Sequence, residues 1–109
     1  MEKQILYGTA NMKDNILLEY YMITEDISVN YSELESYGVK IVKTEHMPGG
    51  GKTVEMKQIN NIFYHREDAE IFLDIIMRNT VTPVSLMEVT EDYVAESVER
   101  ARQPKTFVK

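Results

Sequence analysis

His46 and His65 are the only two imidazoles in the chain, and with Glu45, Glu67 or Asp68 nearby they are the residues that could ligate a metal. Zinc sites draw on close pairs such as His-Glu-x-x-His, which set two ligands on one helix face, and no such spacing occurs here. Cysteine is absent, which removes thiol nucleophiles, disulfides and thiolate-held zinc together. Gly49-Gly50-Gly51-Lys52-Thr53 ends like a phosphate-binding loop, but that motif needs its first glycine where this chain has His46. It must also open a helix whose N-terminus faces phosphate, whereas Val54 and Met56 continue as a strand. No serine stands in a Gly-x-Ser-x-Gly elbow. The 18 carboxylates form many conceivable acid–base pairs, and nothing in their order singles one out. The expectation is a chain without catalysis, metal or cofactor.

The chemistry left is recognition. Glu88, Glu91, Asp92, Glu96 and Glu99 recur every three to four residues, so on a helix they form one acidic face. A solvated face that keeps the chain soluble explains such a stripe, and so does a surface that docks on a basic partner. Seven tyrosines are present, and the adjacent Tyr20 and Tyr21 must point to opposite faces of a strand, leaving one of them a candidate contact residue. Arg100, Arg102, Lys105 and Lys109 make a basic end, which suits either an interacting arm or a solubilising terminus.

The elements that must carry these residues change period midway. Residues 16–23 are apolar and aromatic between charged flanks, and residues 37–44 and 52–59 alternate around the Pro48-Gly49-Gly50-Gly51 cluster, the pattern of a β-hairpin. Residues 5–10 add a further strand, and residues 28–36 read as a connection or short edge strand. Ala69, Phe72, Leu73, Ile76 and Met77 then follow helical spacing, with Glu67, Asp68 and Glu70 at the positive end of the dipole. Asp74 and Arg78 are placed to pair, Asn79 to form a left-handed cap, and Pro83 to prevent continuation. Ser85-Leu86-Met87-Glu88 has capping-box spacing and predicts a second helix with Leu86, Val89, Tyr93, Val94, Val98 and Ala101 inward, closed by Pro104. The predicted fold is α+β: an antiparallel β-meander of three to five strands followed by two C-terminal helices packed on one face. Residues 1–103 form the single domain and residues 104–109 a short basic tail.

A chain of 109 residues suits one domain, and 43% hydrophobic residues are enough for a core without staples. The net charge of −6 is uneven. Residues 1–64 hold nine acids and six bases, residues 65–99 nine acids and two bases, and residues 100–109 four bases and no acid. The helical half is thus the acidic half. This balance disfavours direct contact with nucleic acid or an anionic membrane. Residues 1–8 lack the apolar run of a secretory signal, and the longest apolar stretch, Ile71 to Met77, carries Asp74. A cytoplasmic location is expected. Oligomeric state is open, since an exposed edge strand could pair with itself as a homodimer.

Arg78-Asn79-Thr80-Val81-Thr82-Pro83-Val84, followed by Leu86, Val89 and Glu91-Asp92-Tyr93, resembles the C-terminal signature of a family of short Gram-positive, largely clostridial proteins of uncharacterised function. The Tyr-Gly-Val-x-Ile-Val-Lys strand at residues 37–43 and the glycine turn after it match that family in outline. The resemblance carries no active-site residues over to this chain. In size and acidity the chain is also similar to anti-CRISPR inhibitors from phages and other mobile elements, in type and not in motif. The leading expectation is a non-enzymatic binding protein that blocks the basic nucleic-acid-binding surface of an RNA-guided nuclease. A host adaptor or regulatory protein and an enzyme of unrecognised type are the alternatives.

Overall fold

A computed structural model describes residues 2–29 and 32–102. Four strands, β1 (Glu2–Lys13), β2 (Ile16–Val29), β3 (Ser32–His46) and β4 (Lys52–Phe63), precede two helices, α1 (Arg66–Arg78) and α2 (Pro83–Arg102). The strands form one antiparallel sheet in the order β1-β2-β3-β4. Both helices cover the same face, with α1 lying against all four strands and α2 against β3 and β4. The α+β meander with two helices is therefore the fold, with four strands.

Alternation along β2 and β3 decides which face the helices cover. Leu18, Tyr20 and Met22 from β2 and Val39 and Ile41 from β3 point to one side, where they meet Ala69, Phe72, Leu73 and Ile76 of α1 and Leu86 of α2. Phe63, Phe72 and Tyr93 pack at tilted or edge-on angles with ring centroids 4.7–6.2 Å apart, joining the end of β4 to both helices. The predicted α1 stripe is the buried one, with Met77 half-buried at its end.

Irregularities on both edge strands shape the sheet. On β1 the register shifts between Leu6 and Gly8, which leaves Tyr7 without a β2 partner. Its hydroxyl donates instead to Asp74 Oδ1 of α1 at 2.8 Å. Asp74, expected to pair with Arg78, is thus engaged across the layers. On β4 the register with β3 breaks between the Val39–Ile59 and Tyr37–Phe63 pairs, and Asn61 takes a positive φ of 56°. The Ser36 hydroxyl donates to the Asn61 side chain at this bulge. Gly38 faces it, and a β-carbon there would fall on the Ile59 carbonyl oxygen. The turn between β3 and β4 needs φ of 97° at Gly50 and 81° at Gly51, so the glycine cluster is a hairpin turn.

Three sequence expectations change. Residues 28–29 and 32–36, expected as a connection or short edge strand, belong to the long interior strands: Ser28 pairs with Glu33 and Ser36 with Glu25, so the β2–β3 ladder runs to the Val29–Ser32 pair. The local sequence there is polar and weakly alternating, but the ladder set by the apolar segments propagates into it. The left-handed residue after α1 is Thr80, at φ 47°, and Asn79 sits at φ −94°. Asn79 uses its side-chain amide to donate to the Ile75 carbonyl at 2.8 Å, and the chain reverses one residue later. The Val81 N–H then donates to Ile76 and the Thr80 N–H to Met77, closing a Schellman motif. Finally, α2 starts at Pro83 and not at Ser85. Proline lacks the N–H that a first helical position leaves unused, so Pro83 opens the helix, and Ser85 bonds back to the Thr82 carbonyl at 3.1 Å.

Candidate functional site

The first half of α2 closes the core and the second half leaves it. Pro83, Leu86 and Thr90 are buried, and Val89 and Tyr93 are half-buried against β3, β4 and α1. From Val94 to Arg100 every residue is exposed. Val94 and Val98, expected to face inward, are instead exposed, at 38% and 47%. The side chain of Ala101 and the tail residues 104–109, with Lys105 and Lys109, fall outside the described residues. Where α2 departs, Ile59, Ile62, Val94 and Ala95 line an open groove of about 430 Å³ together with Asn60, Asn61, Thr90 and Glu91.

Glu88, Glu91, Asp92, Glu96 and Glu99 are all exposed on α2, with Glu91 at the margin that faces the groove beside β4. The fold does bring these five together. Asp92, Glu96 and Glu99 flank a shallow depression over Ala95. Glu96 alone among them holds a salt bridge among the described residues, to Arg100 at 3.7 Å, and both side chains remain largely exposed. An exposed i,i+4 pair contributes only a few tenths of a kcal/mol, so the described residues leave the acidic face largely un-neutralised.

Tyr20 and Tyr21 separate as strand geometry demands. Tyr20 is fully buried in the core, and its hydroxyl donates to the Val81 carbonyl at 2.9 Å. It is therefore no contact residue: its role is to tie β2 to the reversal between the helices. Burial pushes its hydroxyl up to about 12. Tyr21 is half-buried on the uncovered sheet face, away from α2, so it cannot share one surface with the acidic stripe. Burial raises the Tyr21 hydroxyl above its ordinary value, helped by the nearby Glu19 carboxylate. Lys40 lies 5.9 Å from the Tyr21 ring centroid and donates to Gln4 Oε1 at 3.0 Å, while Gln58 donates to Glu2 Oε2 at 2.9 Å. These bonds link strands that are not neighbours, so the uncovered face is curled into a shallow trough.

The remaining chemical candidates are dispersed. His46 is exposed at the end of β3 and His65 at the N-cap of α1, and no described carboxylate is fully buried. Among the described residues no group of three or more His, Asp or Glu side chains is placed to hold a metal ion. No described helix is long and apolar enough to cross a membrane. A feature the sequence reading missed is the exposed apolar set Val54, Met56, Val84 and Met87 beside the β4 edge. Alternation marked Val54 and Met56 as sharing a face, but not which face the helices would leave bare.

No curated protein and no solved structure matches this chain. The family model described as a family of unknown function (DUF6514) matches residues 3–96, which include all four strands and α2 through most of its acidic face. The chain belongs to that family.

Proposed function

We propose that the protein is a non-enzymatic binding protein that regulates or inhibits one partner by stoichiometric docking, with the outer face of α2 as its contact surface. The observation that supports this is the projecting half of α2. A helix needed only to close the core has no use for residues beyond the last buried turn, yet α2 runs on with carboxylates on one side and Val94 and Val98 on the other. An amphipathic helix whose apolar stripe stays exposed among the described residues fits a protein-binding element. Residues 65–99 hold nine acids and two bases, so the complementary partner is a basic surface. Channels that bind nucleic acid are surfaces of that kind, and the sharpest form of the proposal is an anti-CRISPR-like inhibitor of an RNA-guided nuclease.

Charge reversal tests it. The quadruple substitution Glu88→Lys, Asp92→Lys, Glu96→Lys and Glu99→Lys is expected to abolish complex formation and inhibition of target cleavage by a purified RNA-guided nuclease, with the circular dichroism spectrum unchanged. Binding that survives the four reversals removes α2 as the contact. A second reading, an adaptor in the host bacterium, draws on the trough of the uncovered sheet, where Leu6 is exposed beside Tyr21. Tyr21→Ala and Leu6→Ala separate the two, since they disturb only a partner held by the sheet.

A further inference from the structure

We infer that β4 is a self-complementary edge through which two copies of this chain pair antiparallel, about a two-fold axis at Met56, into one continuous sheet. The inference is independent of the acidic face of α2.

The two edges of the sheet differ. β1 is interrupted twice along its length, and such irregularities blunt an edge against pairing. β4 keeps an unbroken register with β3 from Lys52 to Ile59, and among the described residues no strand lies on its outer side. A regular ladder of unpaired N–H and C=O groups is a template for another strand. Apolar side chains flank this stretch on both faces. Val54 is 48% exposed and Met56 58% on the uncovered face, while Val84 is 81% exposed and Met87 42% at the start of α2. Val84 and Met87 line one open depression of about 370 Å³ with Glu55, Met56 and Lys57. Two copies joined at this edge cover all four residues twice.

Charge selects the partner and the register. A two-fold axis perpendicular to the sheet sets one residue opposite its own copy and pairs the positions on either side of it crosswise. Centred on Met56, it places Glu55 opposite Lys57 of the second copy, and Lys57 opposite Glu55 of the second copy. Centred on Glu55 or on Lys57, it sets a like charge against itself, which directly opposed strand positions do not tolerate well. The Met56 register also places Val54 opposite Gln58 and ends at Asn60, where the bulge begins, so the pairing stretch and the regular part of β4 coincide. Glu55 reaches Lys43 of its own chain at 3.7 Å but keeps a side chain 54% exposed, which leaves it available across the axis.

Light scattering or sedimentation of the full chain across a dilution series should show a species of twice the 12.7 kDa chain mass. Glu55→Lys and Lys57→Glu, each alone, should raise the dimer dissociation constant about tenfold or more, since each converts two opposed pairs into like charges. The double variant E55K/K57E restores opposite charges and should return to within about threefold of the parent. The chain has no native cysteine, so Met56→Cys gives a second readout. Opposed antiparallel Cα atoms lie about 4.5–5.5 Å apart, within disulfide range, so mild oxidation should yield a covalent dimer. Thr53→Cys, about 20 Å from its own copy in this register, should not cross-link. A monomer at every concentration, a double variant no better than the singles, or cross-linking at Glu55→Cys or Lys57→Cys in preference to Met56→Cys would overturn the inference.

Discussion

Tyr20→Phe removes one oxygen from the centre of the molecule and tests how the two layers are tied. The ring stays where it is, fully buried among Leu18, Met22, Val39 and the α1 side chains. What is lost is the hydroxyl that donates to the Val81 carbonyl at 2.9 Å. Val81 is the residue whose N–H closes the Schellman motif on Ile76, so the bond anchors β2 to the point where the chain turns from α1 to α2. A hydrogen bond of this kind contributes about 1 kcal/mol net, and a buried acceptor left unpaired costs about 1–3 kcal/mol. Val81 is half-buried and can regain water in part, which places the loss at about 1–2 kcal/mol. For a domain of this size that lowers the midpoint of thermal unfolding by roughly 5–10 °C.

The same hydroxyl sets an alkaline signature. Its folded value is raised from 10.0 to about 12 by burial, so the native state keeps a proton that the unfolded chain releases. The associated stability is complete below pH 10 and is lost as pH rises from there to about 12. At about 1.4 kcal/mol per pH unit the loss amounts to roughly 2–3 kcal/mol. The hydroxyls of Tyr7, held by Asp74, of Tyr21 and of Tyr37, held by Glu35, are raised as well and stay in the variant. The difference between parent and variant therefore isolates Tyr20. Urea denaturation at neutral pH and at steps through the alkaline range measures both effects. Equal stability at neutral pH, together with parallel alkaline curves, would refute the reasoning.

Two further perturbations address the backbone. Thr80 is a β-branched residue at φ 47°, a conformation that costs about 1–2 kcal/mol for an L-residue, so Thr80→Gly should stabilise by about 1 kcal/mol in denaturant titrations; a loss of stability would count against the Schellman assignment. Gly38→Ala should cost several kcal/mol, because the added carbon meets β4 backbone at the Ile59 carbonyl and lies 2.8 Å from Asn60 Cα. Gly8→Ala should cost about 1 kcal/mol or less, because the added carbon meets only the flexible Met77 side chain, and comparable losses at the two sites would contradict the close approach of β3 and β4.

Alternation at Val39–Ile41 and Val54–Met56, the glycine cluster between them and the helical stripe from Ala69 to Met77 are local patterns, and each is legible because the periods of strand and helix differ. Those patterns establish the meander, the hairpin and the two helices. The acidic face of α2 is legible for the same reason, since residues three and four apart must share one side of a helix. Position along the chain says nothing of where a neighbouring layer stops. Val94 and Val98 have the spacing of buried residues, but the core under α2 stops at Tyr93 and they are exposed. Tyr20 and Tyr21 were bound to diverge, yet only the placement of α1 and α2 made Tyr20 the core residue and Tyr21 the outer one.

The sequence by itself determined the classes of element, their order and the side of α2 that carries charge. The tertiary structure decided which sheet face is bare, which edge is regular and how far α2 extends past the core. Local periodicity follows from the geometry of one strand or one helix. Exposure is a property of two layers together, and it is settled only when the helices come to rest on the sheet.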